Sequence, residues 1–225
     1  FEQALVFTAD GAQHTSSSSN RILYAAKPFG LKSVQSVQED GVSGGSETYT
    51  VTESGRLNFY YKTDGVWRKT DAGNLDTSPF AQVDILRLLS DAQDQKYVRE
   101  TTLNSQKVHK IELKLSSEAL RSPIETIVTA TGMADDSKTV VQTLLDSAPA
   151  LYGYCYIGTD SGRIVRIEAD LSEAVDRIFQ NIDGNRISVH ISKCEISGDI
   201  SDAGSASAVV LPKEAENASS VQAYG

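Results

Sequence analysis

The sequence predicts an α+β fold built on an antiparallel sheet, and three observations carry that prediction. Strand-like runs with period-two patterning are interrupted by stretches whose apolar residues recur at helical spacing. Tight-turn dipeptides join successive strand runs in the manner of hairpins. No regular alternation of strand, helix and strand occurs, which argues against a parallel sheet.

Taken in order, the first segment is polar. It is punctuated by Asp10-Gly11 and the hydroxyl run Thr15–Ser19, and reads as a short strand or arm followed by a link. From Arg21 to Lys27 the apolar positions Ile22, Leu23, Ala25 and Ala26 fit one or two helical turns, with Asn20 as a cap and Pro28 and Gly30 as the stop. LKSVQSVQ returns to imperfect alternation, and a loop is expected over Glu39–Gly45. The clearest strand signal follows in SETYTVTESGRLNFYYKTDGVWRKT. Ser54-Gly55 and Asp64-Gly65 divide it into a three-strand meander, with Leu57, Phe59 and Tyr61 on one face and Asn58, Tyr60 and Lys62 on the other.

DTSPFAQVDILRLLSDAQ then reverts to helical spacing, with Ser78 as N-cap and Pro79 at the first helical position. YVRETTL and VHKIELKLS read as strands about an Asn104-Ser105 turn, with His109, Ile111, Leu113 and Leu115 sharing a face. Two helical pieces are expected between Ser116 and Ala148, and LYGYCYIGT with RIVRIEAD forms a hairpin. DLSEAVDRIFQN reads as a short helix that starts on Asp170 and Glu173, Asp183-Gly184-Asn185 as a turn, and RISVHISKCEISGDI as a strand. The tail VVLPKEAENASSVQAYG is expected as a final short strand and a polar, small-residue terminus. About seven to ten strands, with helices against the concave side of the sheet, would use the whole chain. Residues 1–225 are therefore expected as a single domain, with 1–20 an N-terminal arm and 213–225 a polar C-terminal tail.

Composition excludes several function classes. A formal net charge of −9 and a pI near 4.8 leave no basic surface for nucleic acid, so no DNA or RNA partner is expected. No run reaches the roughly 18 apolar residues of a membrane span. The opening FEQALVFTAD has neither a basic nor a long apolar leader region and no initiator Met, which leaves room for a signal segment removed upstream. His14, His109 and His190 are scattered and form no metal-ligand spacing, and the phosphate-cradling glycine motifs are absent, so neither a metal nor a cofactor is expected.

Gly41-Val42-Ser43-Gly44-Gly45 matches the nucleophile-elbow pattern, but polar residues precede it and a strand follows, so a Gly/Ser connection is expected there and no catalysis. Asp71, Asn74 and Asp76 lack the calcium-loop spacing and read as turn residues, and Asn217-Ala218-Ser219 is a formal glycosylation sequon. Cys155 and Cys194 lie in separate strand runs: either a disulfide or two half-buried thiols fits the sequence. The aromatic residues Tyr49, Phe59, Tyr60, Tyr61, Trp67, Tyr152, Tyr154 and Tyr156 fall on strands, as β-propensity alone produces. One face of them would also line an apolar cavity closed by the Phe80–Leu89 helix.

The order of segments, and the phrases YYKTDGVWRK, DLSEAV and LPKEAENA, resemble the small bacterial lipoproteins of the LolA-like superfamily. The resemblance spans roughly Arg21 to Ala218. It implies a strongly curved antiparallel sheet, an incomplete barrel around helices, whose apolar cavity binds lipid or acyl chains in the carriers. It also implies an extracytoplasmic protein of the cell envelope and a lipid anchor outside this chain, since no lipobox cysteine stands near Phe1. On this reading the protein is a non-enzymatic, monomeric binder of a hydrophobic small molecule or lipid. Its cavity lining, chosen by strand face and helix stripe, is Phe59, Tyr61, Trp67, Phe80, Ile85, Leu88, Leu89, Ile111 and Leu113. The rival reading is an envelope interaction or regulatory domain with a self-filled core.

Overall fold

The computed structural model describes residues 1–26, 29–71, 89, 91–132, 137–180, 188–201 and 208–220. The chain forms two compact units where the sequence suggested one domain. The first holds the described residues within Phe1–Ser17, Gln38–Gly41 and Gln82–Ser201; the second holds those within Ser18–Val37, Val42–Ala81 and Asp202–Gly225.

In the first unit β1 (Glu2–Ala9), β7 (Asp94–Leu103), β8 (Gln106–Leu115), β9 (Leu151–Gly158), β10 (Ile164–Asp170) and β11 (Val189–Asp199) take the hydrogen-bonded order β1-β11-β10-β9-β8-β7. All of these pairings are antiparallel. A 3₁₀ turn, Ser117–Leu120, leads into α1 (Arg121–Thr131), and α2 (Ser137–Asp146) and α3 (Ser172–Gln180) complete the unit's described helices. Each presents an apolar stripe to one face of the sheet. Leu120, Ile124, Ile127 and Val128 from the first, Val141, Leu144 and Leu145 from the second, and Val175, Ile178 and Phe179 from the third form one core with Leu5, Phe7, Leu113, Cys155, Ile167, Ile191 and Cys194. Burying each large side chain contributes about 1.5–3 kcal/mol, which is what holds the helices to the strands. Gly132, in the left-handed region at φ 61°, closes α1. Asp170 starts α3 as expected: Ser172 N–H donates to its carboxylate at 3.0 Å.

The second unit carries most of β2 (Ala12–Ala26) and β3 (Phe29–Glu39), together with β4 (Val42–Glu53), β5 (Arg56–Thr63), β6 (Val66–Asp71) and β12 (Ser219–Ser220), in the order β12-β6-β5-β4-β3-β2. The meander β4-β5-β6 is the one read from the sequence. Its turns demand positive φ at both central residues, as at Asp64 (52°) and Gly65 (79°), and an Asp-Gly pair supplies this at little cost. A separate core of Tyr49, Val51, Tyr60, Trp67 and Ala215 is closed by Val209, Leu211 and Ala218.

Several expectations are corrected. Residues 1–20 are no arm: they form β1 and more than half of β2. Residues 21–26 continue β2 instead of coiling, and Asn20 accepts a hydrogen bond from Ser33 Oγ at 2.8 Å instead of capping a helix. Ladder pairing along a strand this long outweighs a helical period supported by only four apolar residues. The loop foreseen at 39–45 shrinks to the Asp40-Gly41 turn, and Ser43 stands exposed on β4. VVLP forms no strand. The tail instead makes α4 (Lys213–Glu216) and pairs β12 in parallel with β6. Gly30 runs directly beneath this segment, where an added Cβ would stand 2.7 Å from Val209 Cβ. The helix expected around 78–89 lies outside the described residues except at Leu89, as do Asn74, Asp76 and the 183–185 turn.

Cys155 and Cys194 are free and buried. The strand β10 separates their strands, so the two backbones lie about 9–10 Å apart, beyond the roughly 7 Å that a disulfide spans. Burial pushes the Cys155 thiol up to about 11 and the Cys194 thiol up to about 12. The native protein is therefore expected to resist iodoacetamide at mildly alkaline pH and to show its fully reduced mass without reductant. A mass about 2 Da lower would contradict the strand order.

Candidate functional site

In the first unit the register of β7 to β10 sets side chains in rows across the face that carries the helices. Gln95, Leu113 and Gly153 lie directly opposite one another, and the next row is Tyr97, Ile111, Cys155 and Ile167. The row after that is Glu100, His109, Ile157 and Ile164. Burial falls along this direction. Leu113, Cys155 and Ile167 are core, whereas Ile111, Ile157, Ile164 and Leu89 are only partly buried against it. Tyr97 is 57% exposed.

His109 stands in this apolar surround. Its Nδ1 is buried and has no hydrogen-bond partner among the described residues. The ring meets Tyr97 edge-on, with centroids 5.8 Å apart and planes at 63°. The other face of the same strands is polar and internally paired. Lys110 Nζ sits 3.5 Å over the Tyr154 ring, Tyr156 donates to Glu168, and Arg166 bridges Glu168 and Asp199. Burial alone would raise the Glu168 carboxyl, but the Tyr156 hydroxyl and the Arg166 guanidinium outweigh it and hold the group below its ordinary value.

The sequence-derived lining separates into groups. Leu89, Ile111 and Leu113 come together in the first unit. Phe59 and Tyr61 stack in the second, with centroids 5.6 Å apart. Trp67 does not join them. It pairs with Lys62 across the β5-β6 turn, so it shares the face of Tyr60 and packs edge-on against Tyr49 at 5.7 Å. Phe80, Ile85 and Leu88 lie outside the described residues. On the Trp67 face Glu53 gathers Lys69 Nζ at 2.6 Å, the Tyr60 hydroxyl at 2.6 Å and Asn58 Nδ2 at 3.1 Å. Lys69, then Tyr60, hold its carboxyl below the usual range.

A polar pocket of about 360 Å³ lies between α1 and the strands of the first unit, lined by His14, Asp40, Glu39, Glu125 and Thr129 among others. The His14 ring stacks on Phe7 at 5.0 Å, and its Nδ1 lies 2.8 Å from Asp40 Oδ2. Thr15 N–H donates to the second Asp40 oxygen at 2.6 Å. That backbone bond, followed by His14, lowers the Asp40 carboxyl from its ordinary value. Sequence reasoning missed this pocket because it is assembled from β1 and β2, the β3-β4 turn and α1, which are distant from one another along the chain. The sequence places His109 on one face with Ile111, Leu113 and Leu115 but gives no sign that its Nδ1 lacks a partner. Among the described residues no group of His, Cys, Asp and Glu could hold a metal ion, and no helix is long and apolar enough to cross a membrane.

No family model matches the sequence, and no curated protein matches it. Among solved structures the chain is similar to LprF from Mycobacterium bovis, at 10% identity and a TM-score of 0.37, over 95% of this chain and 89% of that one. It is also similar to the lipoprotein LppX of Mycobacterium tuberculosis, at 13% identity and a TM-score of 0.33, over 88% of this chain and 84% of that one.

Proposed function

We propose that the protein is a non-enzymatic, extracytoplasmic lipoprotein that binds a hydrophobic ligand, a lipid or an acyl chain, on the helix-bearing face of β7 to β10. The observation that carries this reading is the graded row structure: Leu89, Ile111, Ile157 and Ile164 stay partly uncovered beside a fully packed core. Apolar surface of this kind, with a few polar groups set into it, is how small-ligand sites are built. The resemblance of YYKTDGVWRK, DLSEAV and LPKEAENA to envelope lipoproteins supports the compartment and the ligand class. The polar, internally paired opposite face offers an apolar ligand little.

The test is an organic extract of protein purified from a bacterial envelope, analysed by mass spectrometry. A stoichiometric lipid is expected, and Ile111→Glu should lose it while keeping a native circular dichroism spectrum, because a carboxylate in this apolar row is poorly solvated. An empty extract from protein that also takes up no 1-dodecanol from solution would overturn the reading and leave the envelope interaction domain in its place.

A further inference from the structure

We infer that the ligand of this face is an uncharged amphiphile whose hydroxyl head hydrogen-bonds His109 Nδ1. The inference rests on the reading above and narrows it to a ligand class. Buried side-chain polar atoms in folded proteins nearly always have a partner, and His109 Nδ1 has none among the described residues. The cross-strand neighbour on β9 is Ile157, the next row holds Ile111, and the contact from β7 is the edge of the Tyr97 ring. Neither the Tyr97 hydroxyl nor the carboxylate of Glu100, directly across on β7, makes a hydrogen bond to Nδ1, and the missing partner is therefore assigned to whatever occupies the apolar face.

Charge selects the head group. Glu100 stands directly across from His109 on β7, which disfavours an anionic head. Glu100 is itself matched by Lys107 Nζ at 3.9 Å, which leaves no uncompensated charge to draw an ammonium. A hydroxyl both donates and accepts, so it satisfies Nδ1 in either ring tautomer and brings no charge into an apolar surround. Long-chain alcohols, monoacylglycerols and hydroxylated acyl chains share this chemistry. The partly buried Leu89, Ile111, Ile157 and Ile164 would take the chain.

The full-length chain is titrated calorimetrically with 1-dodecanol, with 1-fluorododecane, which keeps the chain but lacks a donor and accepts only feebly, and with dodecanoate. The alcohol should bind roughly tenfold tighter than the fluoroalkane, the size of one net hydrogen bond. In His109→Phe that ratio should fall to about one with the fluoroalkane affinity retained, and in His109→Asn part of the preference should return. If Phe at 109 fails to fold, His109→Leu reads the same ratio. An unchanged alcohol preference in the variant, or tighter binding of dodecanoate than of the alcohol at neutral pH, would overturn the head-group assignment while leaving the apolar site standing. Failure of all three probes to bind the unmodified protein would overturn both.

Discussion

Phe7→Ala is expected to lower the stability of the first unit by about 3–5 kcal/mol, measured as the shift in urea midpoint of the circular dichroism signal at the helical wavelength. Phe7 is 1% exposed and sits on β1 opposite Ile191, in a core to which α1, α2 and α3 all contribute. Truncation loses the transfer energy of the ring and leaves a cavity. The strand pairing of β1 with β11 on one side and the helix stripes on the other limit how far that cavity can collapse. The ring is also the platform on which His14 stacks, so the variant widens the polar pocket by the same stroke. Phe7→Leu keeps most of the volume and should cost roughly 1–2 kcal/mol. Equal losses for the two variants would mean that the site relaxes freely and that the core of this unit is not packed as described.

Circular dichroism suits that measurement because the three long described helices all belong to the first unit, and the fluorescence of the only tryptophan, Trp67, reports the second. The division between units was hidden in the sequence. Both units draw on β2 and β3, whose residues fall partly in one and partly in the other, so no composition shift or linker marks a boundary. Local signals were legible where geometry leaves few choices. Asp64-Gly65 admits a two-residue hairpin, and Asp170 ahead of Ser172 starts a helix. The same hairpin rule also places Trp67: a two-residue turn puts Lys62 opposite it, which sets it on the Tyr60 face and away from Phe59 and Tyr61. Strand face, carried through that turn, therefore separates Trp67 from the other two.

Two other features were not available from the sequence. The period of Ile22, Leu23, Ala25 and Ala26 fits a helix as well as a strand, and ladder neighbours supplied by distant residues decide between them. The isolation of His109 Nδ1 depends on which side chains β7 and β9 bring across from it, and strand register fixes that only after the whole sheet has formed.

Ala215→Glu should cost the second unit at least about 3 kcal/mol and shift Trp67 emission to the red, with greater quenching by acrylamide. Ala215 is fully buried on α4, in a core with Tyr49, Val51, Tyr60 and Trp67. A glutamate there adds volume to a filled site and brings a carboxylate into an aromatic surround. The chain has a cheaper response than burying that charge. The segment 208–220 is held by α4, the two-residue pairing of β12 with β6 and the seat of Val209 on Gly30, so it can lift away and take the carboxylate into water. Detachment uncovers Trp67, which is why emission and quenching should move together. Helical circular dichroism should stay nearly constant, because α1, α2 and α3 belong to the other unit. Gly30→Val drives the same segment off from below, through the 2.7 Å approach to Val209, without adding charge, and should reproduce the emission shift. Native emission in both variants would show that the C-terminal segment is not what shields Trp67.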